Sequence, residues 1–199
     1  SRLASSIPAW GDYIASEMKS DLFEMGAHNF LHESNFVESD AQIDRSLEYT
    51  KKAASALGFD VKAYAAPWFE LEQEKDPERV YKILQKHGLS TRFDGAQPGN
   101  TENIGIRRSV RDPFVRFGVQ CVPSAYFVKD GVVDEKEYST IRKGIEEAIA
   151  KNSVYVISTH DTTFVRNGVA HFENVVKILN EYKDKADIIT VSELTWDTK

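Results

Sequence analysis

Stretches of helical spacing alternate with short apolar runs along most of the chain, and a glycine or proline marks nearly every change between them. Ile14, Met18, Leu22 and Met25 recur at helical spacing from Trp10 to Met25, and Gly26 follows as a stop. Ala27 to Leu31 reads as a buried strand end or a loop. Ser39-Asp40 opens a second helix, with Ile43, Leu47, Ala54 and Leu57 on one face and Gly58 at its end. Val61 to Ala66 reads as a short strand stopped by Pro67. Asp76-Pro77-Glu78 supplies an N-cap and a proline at the first helical position, followed by Val80, Ile83 and Leu84 and an ending at His87-Gly88. Leu89 to Phe93, Val119 to Val128, Val154 to Ser158 and Ile188 to Val191 read as strands. Tyr138 to Ala150 and Phe172 to Tyr182 read as helices, Gly95 to Asn103 as a surface loop, and Asp130-Gly131 as a turn. The order predicts an α/β fold with a mainly parallel sheet, open or closed into a barrel, in one domain spanning residues 1–199.

Composition narrows the function. The 199 residues carry 25 Lys+Arg against 31 Asp+Glu, a formal charge of −6, which argues against a nucleic-acid partner because phosphate neutralisation needs clustered cations. The densest basic run, Arg107-Arg108 with Arg111 and Arg116, is interrupted by Asp112 and reads as a solvated or salt-bridged face. A single cysteine, Cys121, excludes a disulfide framework or a cysteine-rich zinc site within one chain, and its apolar neighbours suit a buried thiol better than a nucleophile. No run approaches the ~20 apolar residues of a membrane span. The start at Ser1-Arg2-Leu3-Ala4 has neither an initiator Met nor a signal-peptide core, and reads as a processed or expressed portion.

In α/β folds chemistry gathers where strands give way to loops at their C-terminal ends. His28, Pro67, Asp94 and His160 all fall just after predicted strands. In His28-Asn29-Phe30-Leu31-His32 two imidazoles can meet one metal ion if the backbone is helical or tightly turned; the bland alternative is two unrelated histidines. The pair is not a zinc-protease helix, which requires Glu where Asn29 stands. Val154 to Ser158 delivers Thr159-His160-Asp161 at a strand end, where a histidine either transfers protons or is hydrogen-bonded into a loop. His171, near a helix start, is a weaker ligand candidate, and His87 at a helix end needs no chemical role. Trp10, Trp68 and Phe69 suit either sugar stacking or packing.

The order of these features resembles the polysaccharide deacetylase family of metal-dependent carbohydrate esterases. Met25-Gly26-Ala27-His28-Asn29-Phe30-Leu31-His32 resembles its histidine motif, and Ala65-Ala66-Pro67-Trp68 its proline motif. Lys86-His87-Gly88-Leu89 resembles a helix ending of that family, Ser158-Thr159-His160-Asp161 its His-Asp motif, and Asp187 to Leu194 its closing strand. The resemblance covers roughly residues 10–194, with a divergent insertion at about 95–135. It implies a distorted (β/α) barrel and a hydrolase of carbohydrate metabolism that removes acetyl groups from an acetylated amino-sugar polysaccharide. It further implies that His28 and His32 hold a divalent metal, usually zinc. His160 would be the general acid, with Asp94 or Asp161 holding its tautomer, and Pro67 and Trp68 would lie at the substrate. An extracellular or cell-envelope location follows from the resemblance alone.

The family's Thr-Phe-Asp-Asp-Gly run, source of the catalytic base and a third metal ligand, is absent upstream of Trp10. Thr91-Arg92-Phe93-Asp94-Gly95 has one Asp and stands after the histidine motif, so it reads as a strand end. The arginine of the proline motif stands as Ala65, and the leucine two residues before the acid as Ser158. These departures admit two readings. One is a chain lacking the first barrel strands, whose open sheet edge would call for a homo-oligomer or a missing N-terminal segment. The other is a catalytically degenerate scaffold serving as a carbohydrate-binding or interaction module.

Overall fold

The structure, a computed structural model, describes residues 24–35, 37–67, 76–94, 110, 112–127, 134–158 and 168–196. The chain divides into two compact units, one of residues 1–93, 115–121 and 189–199, the other of residues 94–114 and 122–188. Among the described residues no helix is long and apolar enough to cross a membrane.

The first unit is built on helix α1 (Asp40–Ala56), strand β1 (Ala63–Ala65), helix α2 (Pro77–Lys86) and strand β2 (Thr91–Asp94). Gln42 Oε1 accepts from the Ser39 N–H at 3.0 Å and from its hydroxyl, which fixes the start of α1. Gly58, at φ +85°, closes that helix without the steric cost a side chain would meet in the left-handed region. Gly88, at φ +68°, closes α2 in the same way, with the Leu89 N–H donating to Leu84 O at 3.0 Å. The two helices pack together. Ile43 and Leu47 of α1 and Val80, Tyr81 and Leu84 of α2 are buried. Polar links rim this packing: Arg79 pairs with Asp40, and Lys86 with Asp44 at 2.7 Å.

Strands β1 and β2 pair in parallel, Ala63 opposite Thr91 and Ala65 opposite Phe93. They belong to a four-stranded sheet of order β1-β2-β4-β3, with β3 (Phe114–Arg116) and β4 (Val119–Pro123). Phe117 and Gly118 join β3 to β4 with φ of +47° and +75°, the two positive angles of a tight hairpin turn. The sequence carried no turn signal of the Asn-Gly kind there, and β3 was not anticipated. Beyond β1, Ala27 adds a single parallel bridge to Tyr64. The Ala27 N–H donates to Ala63 O, and the Ala65 N–H to Ala27 O, both at 2.8 Å.

The second unit holds strand β5 (Tyr126–Phe127), helix α3 (Glu135–Lys151), strand β6 (Ile157–Ser158) and helix α4 (Val169–Glu181). β5 and β6 pair in parallel, Tyr126 opposite Ile157 and Phe127 opposite Ser158. Asp134 caps α3 by accepting from the Glu137 N–H at 3.1 Å, and Asn152 ends it in the left-handed region. Tyr138, Ile141 and Ile145 of α3 form one apolar cluster with Ile178 of α4 and Tyr182, and Tyr155, Ile157, Val175 and Leu179 pack against it.

Three sequence expectations are corrected. The described part of the run 119–128 holds two strands, β4 ending on Pro123, which has no N–H for a continuing ladder, and β5 at Tyr126–Phe127. The run 154–158 is a strand only at Ile157–Ser158. Ile188 to Val191 forms no strand: Ile188 and Ile189 are about half exposed, and Glu193 Oε2 draws Thr190 into a turn through its N–H and hydroxyl, at 2.8 and 2.7 Å.

Candidate functional site

The parallel order of Ala27, β1 and β2 sets their C-terminal ends along one sheet edge. His28 follows the first, Ala66 and Pro67 follow the second, and Asp94 is the last residue of the third.

His28 and His32 meet. Their ring centroids lie 4.7 Å apart, edge to face at 71°, and both side chains are exposed. The backbone that unites them is a tight turn rather than a helix. Asn29 and His32 adopt left-handed conformations, φ +54° and +60°, the region where Asn and His are enriched among non-glycine residues. His28 Nδ1 lies 2.9 Å from Ala65 O. A carbonyl can only accept, so Nδ1 carries the proton and Nε2 is the lone-pair nitrogen of the neutral ring. Metal-binding histidines have this arrangement, with one nitrogen facing the ion and the other donating to a carbonyl or carboxylate behind it. In that tautomer His28, with the His32 ring 4.7 Å away, suits part of the ligand set of a zinc-type ion. Among the described residues no group of three or more His, Cys, Asp and Glu side chains has metal-holding geometry.

The turn is held by side chains that sequence reasoning did not single out. Asn29 Nδ2 donates to Asn35 Oδ1 at 2.9 Å, Asn35 Nδ2 donates to the Tyr64 hydroxyl, and that hydroxyl donates back to Asn29 Oδ1 at 3.2 Å. Asn29, Asn35 and Tyr64 are all buried. Buried polar groups persist where they find partners, and each of these three side chains both donates to and accepts from another within the ring. The Phe30 N–H donates to Ser46 Oγ at 2.7 Å, the Leu31 N–H to Glu33 Oε2 at 2.9 Å, and the Ser46 hydroxyl to the same Glu33 oxygen at 3.1 Å. The one available sequence signal was Asn29, a residue type suited to left-handed backbone.

Of the other expected site residues, Pro67 is buried just beyond β1. Trp68, His160 and Asp161 lie outside the described residues, as do Trp10 and Phe69. His160 follows by two residues the end of β6, where Ser158 Oγ lies 2.6 Å from Ser124 Oγ.

The remaining histidines have structural settings. His87 caps α2 and its Nε2 lies 2.8 Å from Asp44 Oδ1. Hydrogen bonds from Lys86, then from His87, hold the Asp44 carboxyl below its ordinary pKa. His171 is 2% exposed, stacks on Tyr138 and has Nδ1 3.1 Å from its hydroxyl. Burial depresses its pKa. Cys121 is fully buried, its Sγ 3.5 Å from the Tyr81 hydroxyl, in keeping with a packed thiol. Two open clefts of the first unit have volumes of about 510 and 420 Å³; the first is lined by the end of α1 and Gly58 to Val61, the second by Asp40, Asp76 and residues of α2, and neither by His28 or His32.

Comparison with protein-family models and with curated proteins finds no match for this chain.

Proposed function

We propose that the protein is a metal-dependent deacetylase of an acetylated amino-sugar polysaccharide, built on a (β/α) barrel of the polysaccharide deacetylase type. The observation that carries this reading is the meeting of His28 and His32 at a sheet edge, with the His28 Nδ1–H turned back onto Ala65 O. A divalent ion held there, zinc by preference, supplies Lewis-acid polarisation of an acetyl carbonyl and a lowered pKa for water.

Three further roles, in holding the metal-ligand tautomer, protonating the leaving group and binding the sugar, fall to the chain's own residues. Ala65 O fixes the His28 tautomer and so leaves Nε2 as the nitrogen with ligand character. His160 protonates the departing amine or alkoxide, a transfer suited to a group that titrates near neutrality. Asp94 or Asp161 holds the His160 tautomer, and a carboxylate beside it favours the imidazolium form. Trp68 offers a stacking face to a sugar ring beside Pro67.

The departures in the motifs, above all the missing Asp-Asp run, favour a second reading, in which the same scaffold binds carbohydrate without turnover. Acetate release from N-acetylglucosamine oligomers separates the two. The deacetylase reading expects release that stops with a chelator, returns with zinc and is lost in His28→Ala. Glycan binding without release, unaffected by chelator and retained in His28→Ala, would establish the binding module instead.

A further inference from the structure

We propose that the Asn29–Asn35–Tyr64 ring and the Ser46–Glu33 link are a positioning device that sets the geometry of the His28–His32 pair. The proposal rests on the reading above only for what the imidazoles bind; the positioning itself is a property of the turn. Each of the three residues between the histidines is gripped by a side chain. Asn29 is held through its own carboxamide, Phe30 by Ser46 Oγ on its N–H, and Leu31 by Glu33 on its N–H. Asn29 is held a second time, Nδ2 donating to Glu33 O at 2.8 Å.

These grips have a specific consequence for the rings. An Asn in left-handed backbone costs less than most residues there, but two such residues within one short turn still need to be overdetermined by their surroundings. The ring supplies this from β1. Tyr64 carries the hydroxyl that grips Asn29, and the next residue, Ala65, carries the carbonyl that accepts from His28. The backbone of β1 therefore fixes the His28 ring and the residue after it together. Ser46 reaches the turn from α1, so the far side is anchored on a helix rather than on the loop. Apolar side chains of similar volume would fill the same space but would leave the Phe30 and Leu31 N–H groups to other partners.

The test is nuclear magnetic resonance on the full, metal-free chain at about pH 8. The wild type is expected to show a cross-peak between the ring protons of His28 and His32, and the nitrogen pattern of an Nδ1–H tautomer at His28. Asn29→Gly keeps the left-handed backbone accessible while removing the ring, and Ser46→Ala removes the α1 anchor. In each variant, with circular dichroism unchanged, the cross-peak and the tautomer signature are expected to be lost, and zinc affinity to fall about 10–100-fold. A cross-peak and tautomer retained in either folded variant, or absent from the wild type, would overturn the proposal. A wild type that shows both signatures yet takes up no zinc upholds the positioning device and removes the metal reading of the pair.

Discussion

At the scale of single residues, the consequences of burial can be read from a few contacts. A Cβ added at Gly144 would fall 2.1 Å from the Tyr155 ring, well inside contact distance. Gly144→Ala is therefore expected to destabilise the protein by about 1–3 kcal/mol, the usual range for overpacking, as read by urea denaturation. The intrinsic gain of alanine over glycine in a helix, about 1 kcal/mol, acts the other way and is too small to reverse the sign. His171 makes a pH prediction. Its folded pKa is depressed by burial, so between that value and the unfolded pKa of about 6.5 the unfolded chain binds more protons. Stability is then fully present above the unfolded value and falls as pH drops through it toward the folded one. Urea midpoints at pH values either side of this window are expected to show that loss, and His171→Gln to flatten it. Asp44 acts in a lower window: its carboxyl is held down by Lys86 and His87, so its contribution goes only as pH falls below the ordinary carboxylate value.

At the scale of elements, α3 and α4 are held by two kinds of contact of unequal weight. Arg142 makes paired hydrogen bonds to Glu181 at 2.9 and 3.0 Å, yet both groups face solvent and are screened by salt. Ile178 is buried in the apolar cluster. Ile178→Ala is expected to cost about 2–5 kcal/mol, whereas Arg142→Ala should have a much smaller effect that disappears in molar salt. Chemical denaturation of both variants at two salt concentrations checks the ranking. Helices α1 and α2 were legible in the sequence because each carries its own punctuation: Ser39-Asp40 and Asp76-Pro77 at the starts, Gly58 and Gly88 at the ends. Strands were less so, since a strand exists only where a partner lies beside it. Ile188 to Val191 has the β-branched composition of a strand but no ladder, and Phe114–Arg116 has a ladder without a recognisable turn signal.

At the scale of the whole molecule, the placement of His28 at a strand end can be compared with the sequence. His28 stands where the sequence predicted, directly after a parallel bridge, and His32 turns back to meet it. The spacing of the two histidines made their convergence possible, but the means lay beyond local reading. Asn35, Ser46 and Tyr64 come from a following turn, a helix and a strand, and only the fold brings them to residues 28–32. The proposed function turns on whether His28 and His32 hold a divalent ion. Equilibrium dialysis of the full chain against zinc measures it directly. The account predicts uptake by the wild type, reduced at least about tenfold in affinity by His28→Ala and by His32→Ala but not by His87→Gln. No uptake by the wild type, or uptake unchanged when both His28 and His32 are replaced by alanine, would contradict it.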